Sequence, residues 1–184
     1  MKYLLDKQET ERLRFRLLKE ADFDQWLEFF LQSDVTHFLG FKEIETPQQQ
    51  CEEWFNLTLN RYKNDLGGLN VLIDKNTNDF IGQCGLLIQE VDDKKEMEIG
   101  YSMLPKFWNK GYATEAAQKC RDFAFENNFT DSLISIIHVD NIRSEKVALK
   151  NGMVKTKQTN FKGMPVNIFR IEKEAWLKLK NIKL

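Results

Sequence analysis

Apolar side chains recur at helical spacing in two places near the start of the chain. Within residues 23–31 they lie three or four positions apart after an acidic start, which indicates an amphipathic helix. The same spacing over residues 47–62 predicts a second helix, and Pro47 suits its first turn. The pair Gly67-Gly68 is expected to end this second helix.

Alternation of apolar and polar residues then replaces the helical period. It predicts strands at residues 69–73, 80–91 and 97–103, with an earlier strand at 12–18. Pro105 is expected to close the strand at 97–103. Short polar turns between consecutive strands indicate an antiparallel meander.

The second half of the chain combines both patterns. Apolar residues from Ala113 onward mark a helix of about four turns. The continuous apolar run at 133–139 is typical of a strand that is buried on both faces in a parallel pairing. A short helix at 142–150 and two strands follow, at 154–161 and 166–172. The resulting order of elements predicts a mixed α/β fold.

Composition excludes several classes of function. A chain of 184 residues suits one domain, residues 1–184, and no Gly-, Pro- or Ser-rich linker divides it. A formal net charge of −1 gives no electrostatic drive for nucleic-acid binding. No apolar run approaches the ~18 residues of a membrane helix, and the start lacks a signal-peptide core. Three scattered cysteines and two histidines predict neither a disulfide framework nor a metal site, so a reduced, cytoplasmic location is expected.

Residues 101–115 predict a strand, a turn and a helix, and they carry the candidate chemistry. The first N–H groups of such a helix have no partner inside it and attract anions together with the helix dipole. Gly111 permits a left-handed turn or a close ligand approach, and Ala113 leaves that approach open. Lys110 adds a positive charge and Thr114 a hydroxyl donor. The combination suits a pyrophosphate, although one glycine before a helix also suits an ordinary turn.

Three motifs resemble one protein family. Residues 105–116, Pro-Lys-Phe-Trp-Asn-Lys-Gly-Tyr-Ala-Thr-Glu-Ala, resemble motif A of the GNAT superfamily, in the form used by ribosomal-protein N-acetyltransferases of the RimJ/RimL type. Residues 141–153 are similar to that family's second motif, where a Ser lies three positions after an Asn and an apolar helix ends in Lys-x-Gly. Residues 98–101 resemble the strand before motif A. The resemblance covers nearly the whole chain.

The resemblance implies a fold, a cofactor and a reaction. The fold is a single GNAT-like domain with a mixed, mostly antiparallel sheet of six to seven strands, a splayed parallel pair and about four flanking helices. The reaction is acetyl transfer from acetyl-CoA, which leaves as CoA, to a primary amine that attacks directly. The acceptor is a protein N-terminal α-amine or a small-molecule amine. A β-bulge near residues 101–103 is expected to open a gap for pantetheine.

The motifs also imply which residues contact the cofactor. These lie at the end of one strand, in motif A and in the second motif: Tyr101, Ser102, Met103, Asn109, Lys110, Gly111, Tyr112, Ala113, Thr114, Asn141 and Ser144. Trp108 stands where the general motif has Gln or Arg, and Asn109 stands where Gly often follows Trp in the RimJ/RimL type. Ala148 occupies the position of a tyrosine proposed in many members to protonate the leaving thiolate. Ser144 is the alternative candidate acid, although Ser144 or Asn141 also suits the cap of the short helix.

Glu98 is the first candidate for the base that takes a proton from the amine, and Glu96 is the second candidate. A solvated or salt-bridged carboxylate is the competing interpretation of Glu98. His138 and Glu115 are expected to be structural. The loop at 34–45, which includes His37 and Phe38, is implied to shape the acceptor pocket, with simple packing as the alternative.

A second class of function stays open. A non-catalytic acyl-CoA-binding or regulatory module on the same fold would keep Gly111 and Asn141 and lack a working base. Ala148 and the competing interpretation of Glu98 both favour this alternative. CoA release with a panel of amines separates the two classes. The sequence identifies neither the acceptor nor whether the protein is a monomer or a homodimer, and no nucleic-acid or membrane partner is expected.

Overall fold

A seven-stranded sheet runs through the computed structural model of the chain, which describes residues 2–32, 36–40 and 46–181. The strands are β1 (Leu13–Arg16), β2 (Gly67–Asp74), β3 (Phe80–Val91), β4 (Lys94–Met103), β5 (Ser132–His138), β6 (Val154–Phe161) and β7 (Met164–Glu172). The α-helices are α1 (Phe23–Phe30), α2 (Pro47–Lys63), α3 (Tyr112–Glu126), α4 (Ile142–Lys150) and α5 (Lys173–Asn181).

The order of strands across the sheet is β1-β2-β3-β4-β5-β7-β6. Neighbouring strands are antiparallel except for β4 and β5, which run parallel. The predicted mixed sheet with one parallel pair is therefore confirmed. In the described ranges five α-helices flank it rather than about four. The additional helix is α5, which was not predicted from the sequence. Trp176 is its one buried residue, so no repeated set of core positions marks this helix.

The parallel pair β4 and β5 barely touches. Its register consists of one residue pair, Glu98 with Ile134, after which the two strands diverge. Pairing of β3 with β4 continues without a register shift along the whole of β4. The β-bulge expected near residues 101–103 is therefore wrong, and divergence of the two strands opens the gap instead.

Apolar layers cover both faces of the sheet. On one face α3 packs small side chains closely against the strands, with Ala116, Cys120 and Ala124 fully buried. On the other face α1 and α2 pack against the sheet, and Trp26 of α1 is fully buried there. The apolar stripe predicted for α3 is confirmed. Its small residues allow the helix, and therefore its N-terminus, to lie close to β4.

Local signals place α2 correctly at one end only. It begins at Pro47 as predicted, with Thr46 as its N-cap. It ends at Lys63, so the expectation that Gly67-Gly68 end it is wrong, and these glycines open β2 instead. A Cβ on Gly67 would lie 2.0 Å from the Leu86 carbonyl oxygen, which explains why glycine is required beside β3.

The predicted loop at 34–45 is described only in part. Residues 36–40 form a turn with His37–Leu39 in 3₁₀ conformation, and the other residues of that loop lie outside the described ranges. Among the helices that are described, none is both long enough and apolar enough to cross a lipid bilayer.

Candidate active site

The turn that joins β4 to α3 has two residues in left-handed conformation. Gly111 has φ +84° and caps α3, and Asn109 has φ +59°. Asparagine is among the few non-glycine residues that tolerate this region, which is consistent with Asn109 at a position where the motif often has glycine. The indole N–H of Trp108 donates to the Met103 carbonyl at 2.8 Å and ties the turn to the end of β4.

Polar contacts, most of them half-buried, connect this turn to β2 and to the residues before β1. Glu115 accepts hydrogen bonds from the Thr10 hydroxyl at 2.6 Å and from the Arg12 Nε at 2.6 Å. Arg12 also donates to the Lys110 carbonyl at 3.0 Å. The Tyr112 hydroxyl donates to Asp74 at 2.7 Å. Glu115 is therefore structural, as predicted, and the turn is anchored to the strands beneath it.

The N-terminus of α3 presents unpaired donors. The first N–H bonded within the helix is that of Glu115, which donates to the Gly111 carbonyl. The N–H groups of Tyr112, Ala113 and Thr114 precede it and have no partner in the helix. Together with the helix dipole they form a site for an anion such as a phosphate.

Three cations of α4 lie in the same cavity as this helix N-terminus, and the sequence alone did not single them out. Arg143, Lys146 and Lys150 all line the cavity described below, and the Arg143 guanidinium lies 3.8 Å from the centre of the Trp108 ring. Their spacing of three and four positions places them on one helical face, which is a signal readable in the sequence. Lys110 does not line the cavity, because its ammonium lies over the Phe107 ring at 5.3 Å. The predicted contact of Lys110 with the cofactor therefore stays a prediction, and its side chain lies outside the cavity lining in this structure.

The start of α4 shows which residue of the second motif caps the helix. The Asn141 side-chain oxygen accepts the Ser144 N–H at 3.1 Å, so Asn141 is the N-cap of α4 and Ser144 is not. Both residues line the cavity. The Ser144 carbonyl accepts the Tyr101 hydroxyl at 2.8 Å, which joins β4 to α4. Ala148 is fully buried in the core and brings no polar group to the site.

The far half of β4 exposes backbone groups towards the gap. The Ser135 hydroxyl of β5 donates to the Ile99 carbonyl at 2.9 Å, so this carbonyl faces β5. Alternation along a strand then directs the N–H groups of Tyr101 and Met103 to the same side. Because pairing with β5 has already ended at Glu98, these N–H groups have no strand partner there.

The two candidate bases lie in different environments. Glu98 lines the cavity and accepts a hydrogen bond from the Gln89 side chain at 2.7 Å. Burial raises the pKa of Glu98 above its ordinary value, although the bond from Gln89 and the charge of Arg61 act in the opposite direction. Glu96 lies outside the cavity lining and forms an ion pair with Arg170 at 2.6 Å. Of the two candidates, only Glu98 lines the cavity, so its role as the proton acceptor stays a prediction that the position allows.

An aromatic cluster closes the other side of the site. The His138 ring centre lies 5.4 Å from that of Phe38 and 5.6 Å from that of His37. The His138 Nδ1 accepts the Asp140 backbone N–H at 3.2 Å, which orients the ring. His138 also lines the cavity described below, so its expected structural role stays a prediction.

A cavity of about 680 Å³ connects all of these features. It runs from α3 and α4, which we call its donor side, through the gap between β4 and β5. It ends between α2, residues 36–40 and the β6–β7 turn, which we call its acceptor side. Every cofactor contact predicted from the sequence lines it except Lys110.

Comparison with known proteins agrees with this geometry. Residues 12–154 match the family described as an acetyltransferase (GNAT) domain. The chain belongs to the GNAT acetyltransferase family. The uncharacterized protein YkkB of Bacillus subtilis is 33% identical over 163 residues, which cover 87% of this chain and 92% of that protein.

Solved structures share the GNAT fold over nearly their whole length. An acetyltransferase from Agrobacterium tumefaciens superposes with a TM-score of 0.75 at 26% identity, covering 91% of this chain and 94% of that one. A spermidine N-acetyltransferase from Vibrio cholerae, solved in complex with CoA and spermine, has a TM-score of 0.70 at 16% identity, covering 91% and 99% of the two chains. At that identity the second likeness concerns the fold alone.

Besides the three cations of α4, four residues of this GNAT site were not assigned an individual role from the sequence. They are Ser135, which bonds the edge of β4, and Arg61, Gln89 and Lys162 on the acceptor side. Gln89 had one readable signal, since in a hairpin it lies two positions from the direct partner of Glu98. The others meet the site only through tertiary packing.

Proposed function

We propose that this GNAT protein transfers the acetyl group of acetyl-CoA to the primary amine of a small molecule or of a protein N-terminus. One observation carries the proposal. A continuous cavity joins unpaired N–H groups at a helix N-terminus, an unpaired strand edge and a carboxylate of raised pKa. An ordinary turn requires only the first of these features. The motif resemblance supports the RimJ/RimL form and a single domain over residues 1–184.

The residues of the donor side fit CoA. The amides of Tyr112, Ala113 and Thr114 suit the pyrophosphate, and the cations of α4 suit its charge. Gly111 in its left-handed conformation leaves no side chain in the way of that approach. The strand edge at Tyr101 and Met103 offers N–H groups at the spacing with which an amide chain pairs, as pantetheine requires. The CoA bound by the related spermidine N-acetyltransferase supports the same assignment.

The residues of the gap have distinct proposed roles. When bound, acetyl-CoA supplies an acetyl group activated as a thioester. Glu98 accepts the proton of the amine, directly or through a water, because its raised pKa brings its basicity closer to that of the amine. The Tyr101 N–H is directed at the place where negative charge develops on oxygen. The Ser144 hydroxyl lines the cavity and makes no hydrogen bond to a described residue, so it is the proposed proton donor to the leaving sulfur.

Glu98→Gln tests the catalytic part of the proposal. Single-turnover acetylation is measured on an amine that is mostly neutral at the assay pH, so that neither amine ionisation nor product release sets the rate. The rate should fall by about a hundredfold or more, while acetyl-CoA binding by calorimetry stays unchanged. Glu96→Gln is the matched control, since it changes the same group two positions away outside the cavity.

Two outcomes would contradict the proposal. Glu98→Gln within a few-fold of the wild-type rate would leave Glu98 structural. Binding of acetyl-CoA without CoA release across a panel of amines would favour the non-catalytic acyl-CoA-binding module. The observation that supports this alternative is Ala148, which is buried and brings no hydroxyl to the site.

A further inference from the structure

Charges on the acceptor side are balanced rather than acidic. Among the described residues that line it, Glu53 and Glu98 are acids, and Arg61 and Lys162 are cations. Both cations act on the Glu98 carboxylate, so all three groups lie around the same part of the cavity. A site for a polyamine needs an excess of carboxylates. This part of the cavity instead suits a molecule that carries both signs of charge.

Arg61 is a half-buried cation without a carboxylate partner. Its Nη2 donates to the carbonyls of Leu66 and Ile88, at 3.0 and 2.6 Å. Its Nε is buried and has no hydrogen-bond partner in the described ranges, and no described carboxylate lies within 4.0 Å of the guanidinium. Burial lowers the pKa of Arg61, which reflects the cost of keeping this charge away from water. A guanidinium in this position favours an anion in the cavity.

Lys162 provides a second cation at the same place. It lies in the β6–β7 turn, and its ammonium is 5.3 Å from the centre of the Phe161 ring. No ion pair joins it to a described carboxylate, whereas Lys157 on the same hairpin pairs with Asp92 at 2.5 Å. Arg61 and Lys162 thus approach one part of the cavity from α2 and from the β6–β7 turn.

We propose that the acceptor is a free amino acid or a close analogue, with a carboxylate beside its primary amine and an apolar side chain. This inference rests on the proposed acetyl transfer. Arg61 and Lys162 bind the carboxylate, and Glu98 receives the amine. The rings of Phe38, Trp54 and His138 line the space for the apolar side chain. A peptide N-terminus has no carboxylate next to its amine and leaves both cations unpaired.

The test compares pairs of acceptors that differ only in the carboxylate. L-Phenylalanine, L-leucine and L-methionine are each measured against their amides, with spermidine and an alanine-initiated peptide as further acceptors. Rates are expressed per neutral amine, because amidation lowers the pKa of the amine. For at least one pair kcat/KM should be tenfold or more higher for the amino acid than for its amide.

Variants connect that preference to the two cations. Lys162→Gln should reduce several-fold the ratio of kcat/KM for the amino acid to kcat/KM for its amide; the ratio is the readout because Lys162 also acts on Glu98, which serves both acceptors. Arg61→Gln should do the same, with a melting curve to verify its fold, since Arg61 also bonds two carbonyls. Lys157→Gln, which removes a charge from the same hairpin outside the cavity, should keep the wild-type ratio.

The results distinguish this inference from the proposed function. Amides, spermidine or the peptide acetylated as efficiently as the amino acids would overturn the inference and leave an acetyltransferase. A preference for amino acids that survives both cavity variants would also overturn it. Failure of every amine to release CoA, with acetyl-CoA bound, would refute acetyl transfer and this inference together.

Discussion

Gly111→Ala separates the role of the turn in cofactor binding from its role in stability. Gly111 has φ +84°, and Gly163 in the β6–β7 turn has φ +83°. A Cβ on Gly111 would lie 3.3 Å from the Arg12 Nη2, whereas a Cβ on Gly163 would meet nothing within 4 Å. Gly163→Ala is therefore the control: it places an L-residue in the same left-handed conformation, at a site with no neighbouring atom and away from the proposed cofactor site.

The magnitude follows from the left-handed conformation. An L-residue there costs about 1–2 kcal/mol relative to glycine. In a chain of this size that corresponds to a melting temperature about 2–8 °C lower, if each turn keeps its conformation. The turn at Gly111 is exposed, so in the free protein it is expected to relax and recover most of this strain. Binding of CoA must then restore the conformation, and affinity should fall about five- to thirtyfold.

The assay consists of thermal melting and calorimetric titration of CoA on both variants. Gly163→Ala should melt lower than wild type and bind CoA as wild type does. Gly111→Ala should bind CoA at least fivefold more weakly. If Gly111→Ala binds CoA within twofold of wild type and melts no lower than Gly163→Ala, the phosphates do not lie at this turn and the assignment of the anion site is wrong.

Two further predictions concern single charges. Arg143→Met keeps the length of the side chain and removes its charge, so CoA affinity should fall several-fold at low salt and its salt dependence should become flatter, as titrations at two ionic strengths will show. Glu98→Gln should raise the melting temperature at neutral pH. The raised pKa means that the folded state holds the proton more tightly than the unfolded state, so the ionised carboxylate destabilises the fold above its folded pKa. Melting curves from pH 7 downward should show this advantage shrinking as wild-type Glu98 becomes protonated.

Local sequence signals predicted the elements but not how they meet. Apolar patterns and turn signals located all seven strands, and caps and turn residues fixed many boundaries, as at Pro47 and at 142–150. The order of the strands has no such local signal. The gap was expected from a β-bulge, but bulges have no reliable sequence mark, and the divergence of β4 from β5 depends on long-range packing.

The candidate site was predictable where its residues belong to one continuous motif. Gly111 and the helix start follow from the sequence because a turn and a helix N-terminus are local objects. Lys110 shows the limit of that reasoning, since its side chain turns towards Phe107 while the cations of α4 line the cavity. Arg61 and Lys162 come from elements about a hundred residues apart, and no local pattern brings them together.

The end of pairing between β4 and β5 accounts for the position of the chemistry. Strand β5 is paired along its whole length with β7, and β4 along its whole length with β3. The two halves of the sheet meet only at Glu98 and Ile134, so Glu98 lies at the vertex of the gap. Beyond that vertex the N–H of Tyr101 loses its strand partner. One topological feature therefore places the proposed proton acceptor beside the proposed oxyanion donor, and it does so without any residue of unusual type.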